Sequence, residues 1–185
     1  VSDKVNEILV DVDRISDLMT DILTMGKVEA SRVPFNPSVV SMIEFIEEYL
    51  HFEAPRIFHA RKYKYENEAL YTQINIDRKL MKQVLQNALS NAVKYSPADS
   101  EVGIKIVEKK GKVSIVITDH GIGIPEKDLP FVFESFFRAA NAENIPGTGL
   151  GMPIIRLFTE MNRGEVSIIS EQNKGTTLTI TLPTV

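Results

Sequence analysis

Two asparagines, Asn87 and Asn91, stand four residues apart in the stretch QNALSNAVKYSP. Residues four apart lie on the same face of a helix, so both side-chain amides are expected to point the same way. A buried amide needs hydrogen-bonding partners, and the Leu and Ala residues around this pair offer none. Amide oxygens suit Mg²⁺, which prefers oxygen ligands and keeps water and substrate phosphates around it. The alternative interpretation is a pair of solvated or capping residues.

An acid and two glycines follow an apolar run in VITDHGIGIP, at Asp119, Gly121 and Gly123. Asp and Gly end strands in many proteins, so a plain turn is one interpretation. A carboxylate at the end of a buried strand can also accept a hydrogen bond from an exocyclic amine such as that of adenine. Glycines beside it would remove the Cβ atoms that obstruct a flat ring.

Three more glycines, Gly147, Gly149 and Gly151, precede an apolar helix in GTGLGMPIIRLF, where Pro153 falls in the first turn. The free N–H groups and the positive end of such a helix form an anion site. The stretch is not a dinucleotide-binding GxGxxG, because no strand leads directly into it. It also differs from the phosphate loop that ends in Gly-Lys-Ser/Thr.

The stretch FVFESFFRA, from Phe131 to Ala139, holds four phenylalanines and Arg138. One interpretation is core packing. The other is a hinged segment, in which the aromatic residues anchor a mobile lid and Arg138 approaches phosphate. The polar stretch AANAENIP that follows has small side chains and is expected to form a flexible lid.

The order NxxxNAxKYSP, DxGxGIP, FExFFRA and GTGLGM resembles the N, G1, F and G2 boxes of the sensor histidine kinases, over about Val39 to Pro183. The resemblance implies the Bergerat-type fold shared with gyrase-type topoisomerases, the ninety-kilodalton heat-shock chaperones and mismatch-repair ATPases. It also implies a catalytic domain that binds Mg·ATP and transfers the γ-phosphoryl group to a histidine on a companion helix in two-component signal transduction.

The resemblance also implies a role for each matching residue. The catalytic candidates are Asn87, Lys94 and Arg138, and Asn91 is expected to be the main Mg²⁺ ligand with Asn87 assisting. Asp119 would bind the adenine amine with help from Thr176. The other expected ATP-binding residues are Tyr95 beside the nucleotide, Gly121, Gly123 and Ile124 on the adenine wall, and Gly147, Thr148, Gly149, Leu150 and Gly151 around the phosphates.

The elements that must position these residues fall into two predicted units. In residues 2–30 apolar side chains recur in steps of three and four, which is typical of a helical bundle. Residues 1–33 resemble the second helix of the kinases' dimerisation bundle, and residues 34–185 are expected to form the ATP-binding domain. Prolines in SRVPFNP, together with Gly26, are predicted to end the helix.

Downstream, mixed periodicity predicts an α+β fold, a two-layer sandwich with a mixed, mainly antiparallel sheet covered by helices on one face. The predicted helices are Val39–Leu50, Arg78–Tyr95 and one after Gly151. The predicted strands lie near Tyr63–Tyr65 and Leu70–Ile76, and at Val102–Val107, Val113–Thr118, Glu165–Ser170 and Gly175–Pro183.

Composition narrows the function classes. The 185 residues are 43% hydrophobic and 25% charged, as in an ordinary globular protein. A net charge of −4 argues against nucleic acid as a partner. The absence of cysteine fits a reducing compartment, and the chain has neither a spanning segment nor a signal-peptide pattern. The resemblance to sensor histidine kinases implies the cytoplasmic portion of a larger sensor, of a kind that can be membrane-bound. It also implies a homodimer through the helical bundle and a response-regulator receiver domain as partner.

The position of the phosphate-accepting histidine is a departure from the family pattern. The three histidines are His51, His59 and His120, and none stands in a bundle-helix motif, so the acceptor is expected outside this chain. The alternatives are an ATPase or serine kinase of the same fold, or a non-catalytic nucleotide-sensing or dimerisation module. The intact asparagines, Asp119 and the three G2 glycines argue against a degenerate site.

Overall fold

The computed structural model describes residues 33–59, 61–70 and 72–185, together with Met19, Leu23 and Gly26. The predicted bundle helix of residues 1–33 therefore lies almost wholly outside the described residues. Its three internal described positions are helical, and they include Gly26, which the sequence predicts to help end this helix. Within the described ranges, no helix has the length and apolar character needed to cross a membrane.

Seven strands and four α-helices make up the described part of the chain. The strands are β1 (Ser38–Ser41), β2 (Tyr63–Glu68), β3 (Gln73–Ile76), β4 (Val102–Lys109), β5 (Lys112–Asp119), β6 (Glu165–Glu171) and β7 (Gly175–Pro183). The helices are α1 (Met42–Phe52), α2 (Ala54–Phe58), α3 (Arg78–Lys94) and α4 (Gly151–Met161), and short 3-10 helices span Glu126–Phe131 and Ala140–Ala142.

The main sheet has five strands in the order β2-β4-β5-β7-β6. Its β2–β4 pair is parallel and its other pairs are antiparallel, which confirms the predicted mixed, mainly antiparallel sheet. The tight hairpin between β4 and β5 turns at Lys110 and Gly111, both with positive φ, as a two-residue turn that matches strand twist requires. Strands β1 and β3 form a separate antiparallel pair.

One face of the main sheet carries the core. Along β5, Val113, Ile115 and Ile117 are buried, whereas the residues between them are only half-buried, because side chains alternate across a strand. The apolar stripe of α3 and the side chains of α4 pack over this buried face, and both helices contact each other. The layers place the end of β5, the C-terminal half of α3 and the start of α4 side by side.

The helix predicted at Val39–Leu50 begins later than expected. Val39 pairs with Asn75 in the β1–β3 ladder, so this part of the prediction is wrong. The helix starts at Met42 because Ser41 caps it, its Oγ accepting a hydrogen bond from the N–H of Glu44 at 3.3 Å. His51 lies in the last turn of this helix.

Candidate functional site

A cavity of about 700 Å³ opens between α3, the loop after β5, the segment 137–142 and the start of α4. All of the predicted site residues line it except Gly121 and Leu150. Gly121 lies directly behind the wall, because its N–H donates to Asp119. Leu150 is fully buried and immediately precedes α4. The four separated motifs are thus brought to one place.

Asp119 marks one end of the cavity, at the last position of β5, where it is buried and pairs with Thr176 of β7. Its Oδ1 accepts hydrogen bonds from the N–H of Gly121 at 2.8 Å and from that of Thr176 at 3.3 Å. Burial raises the pKa of this carboxyl above its ordinary range, against the opposing effect of these two backbone donors. Both backbone bonds go to Oδ1, which leaves Oδ2 for another donor.

The glycines after Asp119 serve backbone packing. A Cβ on Gly121 would overlap the carbonyl oxygen of Tyr95, and a Cβ on Gly123, which has φ +59°, would overlap that of Glu171. The expectation that these glycines make room for a flat ring is therefore wrong, since their missing Cβ atoms would meet neighbouring backbone. The apolar wall itself comes from Ile117, Ile122, Ile124, Ile168 and Leu178.

The two asparagines of α3 lie at the other end of the cavity, opposite the start of α4. A Cβ on Gly151 would lie 3.6 Å from both Asn87 Oδ1 and Asn91 Nδ2, so the two amides face the first turn of that helix together. Asn87 Nδ2 is buried and has no hydrogen-bond partner among the described residues. The first turn of α4 carries no side-chain cap, so the N–H groups of Gly151 and Met152 are open to an anion.

Lys94 supplies positive charge beside these groups. Its Nζ lies against Gly147, where a Cβ would overlap it, and 4.7 Å from the centre of the Tyr95 ring. No carboxylate in the described part of the chain forms an ion pair with this ammonium group. Among the described residues that line the cavity, Asp119 is the one acid, whereas Lys94 and Arg138 carry positive charge.

Gly149 shapes the loop before α4. It has φ +75°, and a Cβ there would come within 2.7 Å of the backbone carbon of Phe136, so only glycine fits without strain. Phe136 itself has φ +66°, and its N–H donates to Gly149 O at 3.0 Å. The aromatic segment is therefore locked to the glycine loop by backbone contacts.

The phenylalanines of FVFESFFRA are predicted either to pack in the core or to anchor a mobile lid. Phe136 is 64% exposed and Phe131 is 44% exposed, so neither is a core residue. Phe137 lines the cavity, and its ring lies 5.7 Å from that of Phe131. Core packing of all four rings is therefore wrong.

Arg138 holds the conformation of the segment that follows it, residues 139–146, which we call the lid. Its Nη2 donates to the carbonyl oxygens of Ala142 and Ile145, and to that of Glu143 at 3.1 Å. Ala140 N–H donates to Asp128 Oδ2 at 2.9 Å, which fixes the start of the lid. The approach of Arg138 to phosphate stays a prediction, since here its guanidinium group binds lid carbonyls.

Sequence reasoning missed three residues that organise the site. Asn141 lines the cavity and donates to two backbone carbonyls of the loop after β5. Arg61 donates to carbonyls at the end of α3, including Val93 O at 2.6 Å. Asn162 is 1% exposed and accepts a hydrogen bond from Asp77 N–H at the start of α3. These contacts were not predictable from the sequence, because a polar residue in a loop belongs to no periodic pattern that indicates its partner.

Comparison with known proteins defines the class. Residues 76–185 match the family model described as Histidine kinase-, DNA gyrase B-, and HSP90-like ATPase. The match covers more than half of the chain, and the chain belongs to this family. The solved mycobacterial sensor histidine kinase MprB is 30% identical, with a TM-score of 0.67, over 80% of this chain and 98% of that chain.

Curated relatives point to one branch of the family. The sensor histidine kinase WalK of Bacillus subtilis is 33% identical over 94% of this chain, and the signal transduction histidine-protein kinase ArlS of Staphylococcus aureus is 28% identical over 97% of it. These similarities confirm the resemblance to sensor histidine kinases. The chain spans 29% of WalK and 40% of ArlS. The full-length ShkA structure, in complex with AMPPNP, shares the fold, with a TM-score of 0.78 at 20% identity over 94% of this chain and 36% of that chain.

Proposed function

We propose that residues 34–185 are the ATP-binding catalytic domain of a sensor histidine kinase, and that it binds Mg·ATP in the cavity described above. The observation that carries the proposal is the charge arrangement of this cavity. A buried carboxylate lines this cavity together with two amides that face α4, a helix start without a side-chain cap, and a lysine that has no ion-pair partner among the described residues. This arrangement matches a molecule with an amine-bearing ring at one end and phosphates at the other.

At the base end, Asp119 Oδ2 would accept a hydrogen bond from the adenine amine, while Gly121 and Thr176 hold Oδ1. The isoleucines of the wall would cover the faces of the ring. Burial strengthens this polar contact, because little water competes for the carboxylate. Guanine carries a carbonyl oxygen at the matching position, and this oxygen would face the same acceptor, so adenine is favoured.

At the phosphate end, the donor set fits a magnesium ion. Asn91 and Asn87 would hold Mg²⁺ through their amide oxygens, and the ion prefers such ligands alongside water and substrate phosphates. Asn87 Nδ2, which is buried and has no hydrogen-bond partner among the described residues, would donate to a phosphate oxygen. Bound Mg²⁺ would neutralise charge that develops on the phosphates. The N–H groups before and within the first turn of α4, together with Lys94, would bind the remaining phosphate oxygens.

The proposed reaction breaks the bond between the γ-phosphorus and the bridging oxygen of ATP and forms a bond to an imidazole nitrogen, and ADP leaves with the electron pair. The domain would act by positioning and charge stabilisation. The accepting histidine would lie on a companion bundle helix, and residues 1–33 would contribute the second helix of that bundle. A homodimer formed through this bundle would then pass the phosphoryl group to a response-regulator receiver domain, on the cytoplasmic side in a membrane-bound sensor.

Two measurements test this proposal. Calorimetry should show Mg·ATP binding that weakens without Mg²⁺ and after Asn91→Ala. With γ-labelled ATP, the chain alone should stay unlabelled, and a histidine-bearing bundle added to it should acquire the label. No binding of ATP by the wild-type chain would refute the proposed function, and self-labelling of the chain alone would refute the assignment of the acceptor to another helix.

A further inference from the structure

Asn141 connects the lid to the loop after β5. Its Nδ2 donates to Gly123 O at 2.9 Å and to Ile122 O at 3.3 Å. Both carbonyls belong to the loop that forms the base end of the cavity, next to Asp119. The side chain thus links two segments that both line the cavity.

Among the described residues, this side chain provides the hydrogen bonds that join the lid to residues 121–124. The other lid contacts serve different ends: Arg138 binds carbonyls within the lid, and Asp128 fixes its first turn to the preceding 3-10 helix. Removal of Asn141 would therefore leave the lid folded but unattached to the base end.

The other half of the Asn141 amide is unused. Oδ1 is buried, has no hydrogen-bond partner among the described residues, and belongs to a residue that lines the cavity. Leaving a buried acceptor unpaired costs free energy. An unpaired buried acceptor on a residue that lines the cavity points to a ligand that carries a donor.

We propose that Asn141 is a latch that positions the lid over the nucleotide, and that its Oδ1 accepts a hydrogen bond from an N–H or O–H group of that nucleotide. This inference rests on the proposed ATP-binding function. The candidate donors are the two ribose hydroxyls and the 6-amine of adenine. Loss of the latch should act mainly on the dissociation rate, because the lid must part from residues 121–124 before a covered ligand leaves.

The matched control for Asn141 is Asn144, an exposed asparagine of the same lid that does not line the cavity. The experiment compares wild type, Asn141→Ala, Asn141→Asp and Asn144→Ala. Binding and dissociation of Mg·ATP are measured by calorimetry and stopped-flow displacement. The same measurements use 2′-deoxy-ATP, 3′-deoxy-ATP and the ATP analogue without the 6-amine.

Asn141→Ala should weaken Mg·ATP binding about tenfold, the loss expected for one to two hydrogen bonds, and should speed dissociation. Asn144→Ala should stay within twofold of wild type. One analogue should bind wild type several-fold more weakly than ATP and lose this disadvantage in Asn141→Ala. The analogue that does so identifies the donor. Asn141→Asp keeps the acceptor but loses the donor, so it should dissociate faster and still discriminate against that analogue.

The inference is overturned if Asn141→Ala binds Mg·ATP within twofold of wild type, or if no analogue shows this coupling. Thermal unfolding without nucleotide checks that each variant folds. If the alanine variant does not fold, Asn141→Asp provides the test. A dissociation rate equal to that of the wild type in Asn141→Asp overturns the proposed latch. A wild-type chain that binds no ATP refutes the proposed function instead, so the two failures are distinguishable.

Discussion

Asp119→Asn is the sharpest test of the base end, because the substitution replaces one carboxylate oxygen by an NH₂ group and changes almost no volume. In the wild type, Oδ1 accepts from the N–H groups of Gly121 and Thr176. The asparagine must keep its oxygen toward these two donors, since a side-chain NH₂ cannot accept from them. Its NH₂ group must then take the place of Oδ2 and present a donor to the adenine amine.

The expected loss follows from that geometry. A hydrogen bond to an ionised acceptor contributes about 1.5–3 kcal/mol, so Mg·ATP binding should weaken by about 10- to 100-fold. Calorimetry with Mg·ATP measures it, and the analogue without the 6-amine provides the internal control. This analogue should bind the wild type weakly and lose nothing further in Asp119→Asn.

The same variant should not be less stable than the wild type at neutral pH. Burial raises the pKa of Asp119, so the folded chain binds this proton more tightly than the unfolded chain, and the ionised form lowers stability as pH rises. Asparagine carries no such cost. The stability difference in favour of the variant should shrink as pH falls toward about 4, the ordinary carboxyl value.

Two results would refute this reasoning. One is equal Mg·ATP affinity in wild type and variant, which would remove Asp119 from base recognition. The other is an equal loss of the amine-free analogue in Asp119→Asn, because this loss would show that the substitution damages the cavity as a whole. Urea unfolding across the pH range tests the stability term separately.

Three further predictions concern the supports of the site. Gly149→Ala should lower the stability of the fold by about 1–2 kcal/mol, because residue 149 has a positive φ, and it should weaken nucleotide binding. Thermal unfolding and calorimetry measure these effects, and an unchanged melting temperature would contradict the prediction. Arg61→Met should lower the free energy of unfolding by about 1–3 kcal/mol, because it removes a charged hydrogen-bond donor from the end of α3. It should also weaken nucleotide binding next to Lys94. Unaltered urea unfolding would count against this role. Asn162→Leu should cost about 1–3 kcal/mol by leaving Asp77 N–H buried without an acceptor, whereas Mg·ATP affinity of the folded fraction should fall less than in Asp119→Asn.

Local chemistry made the main elements predictable. The four-residue spacing of Asn87 and Asn91 requires one helix face, and the structure turns both amides toward Gly151. Alternating apolar residues fixed β5 and β7 to within one or two positions. These features depend on neighbours a few residues away, so a single sequence contains the necessary information.

The supporting polar contacts were not predictable from such patterns. Asn162 and Asp77 are separated by 85 positions, and Asn141 donates to the backbone carbonyls of Ile122 and Gly123, neither of which has a polar side chain. A backbone carbonyl leaves no trace in residue types, so the partner of a loop asparagine is decided by the tertiary fold. The predicted start of α1 was wrong for a related reason: the residues around Val39 have a helical pattern, but they pair with β3 instead.

The pairing of Asp119 with Thr176 joins positions 57 residues apart and has a consequence for change in this protein over time. Between them run the lid and the glycine loop, followed by α4 and β6, which belong to the packed layers of the domain. The entropy of closing a flexible loop grows only slowly with its length, so insertions within the lid cost the fold little. Insertions or deletions in the lid can therefore change the residence time of the nucleotide without changing the register of the strands.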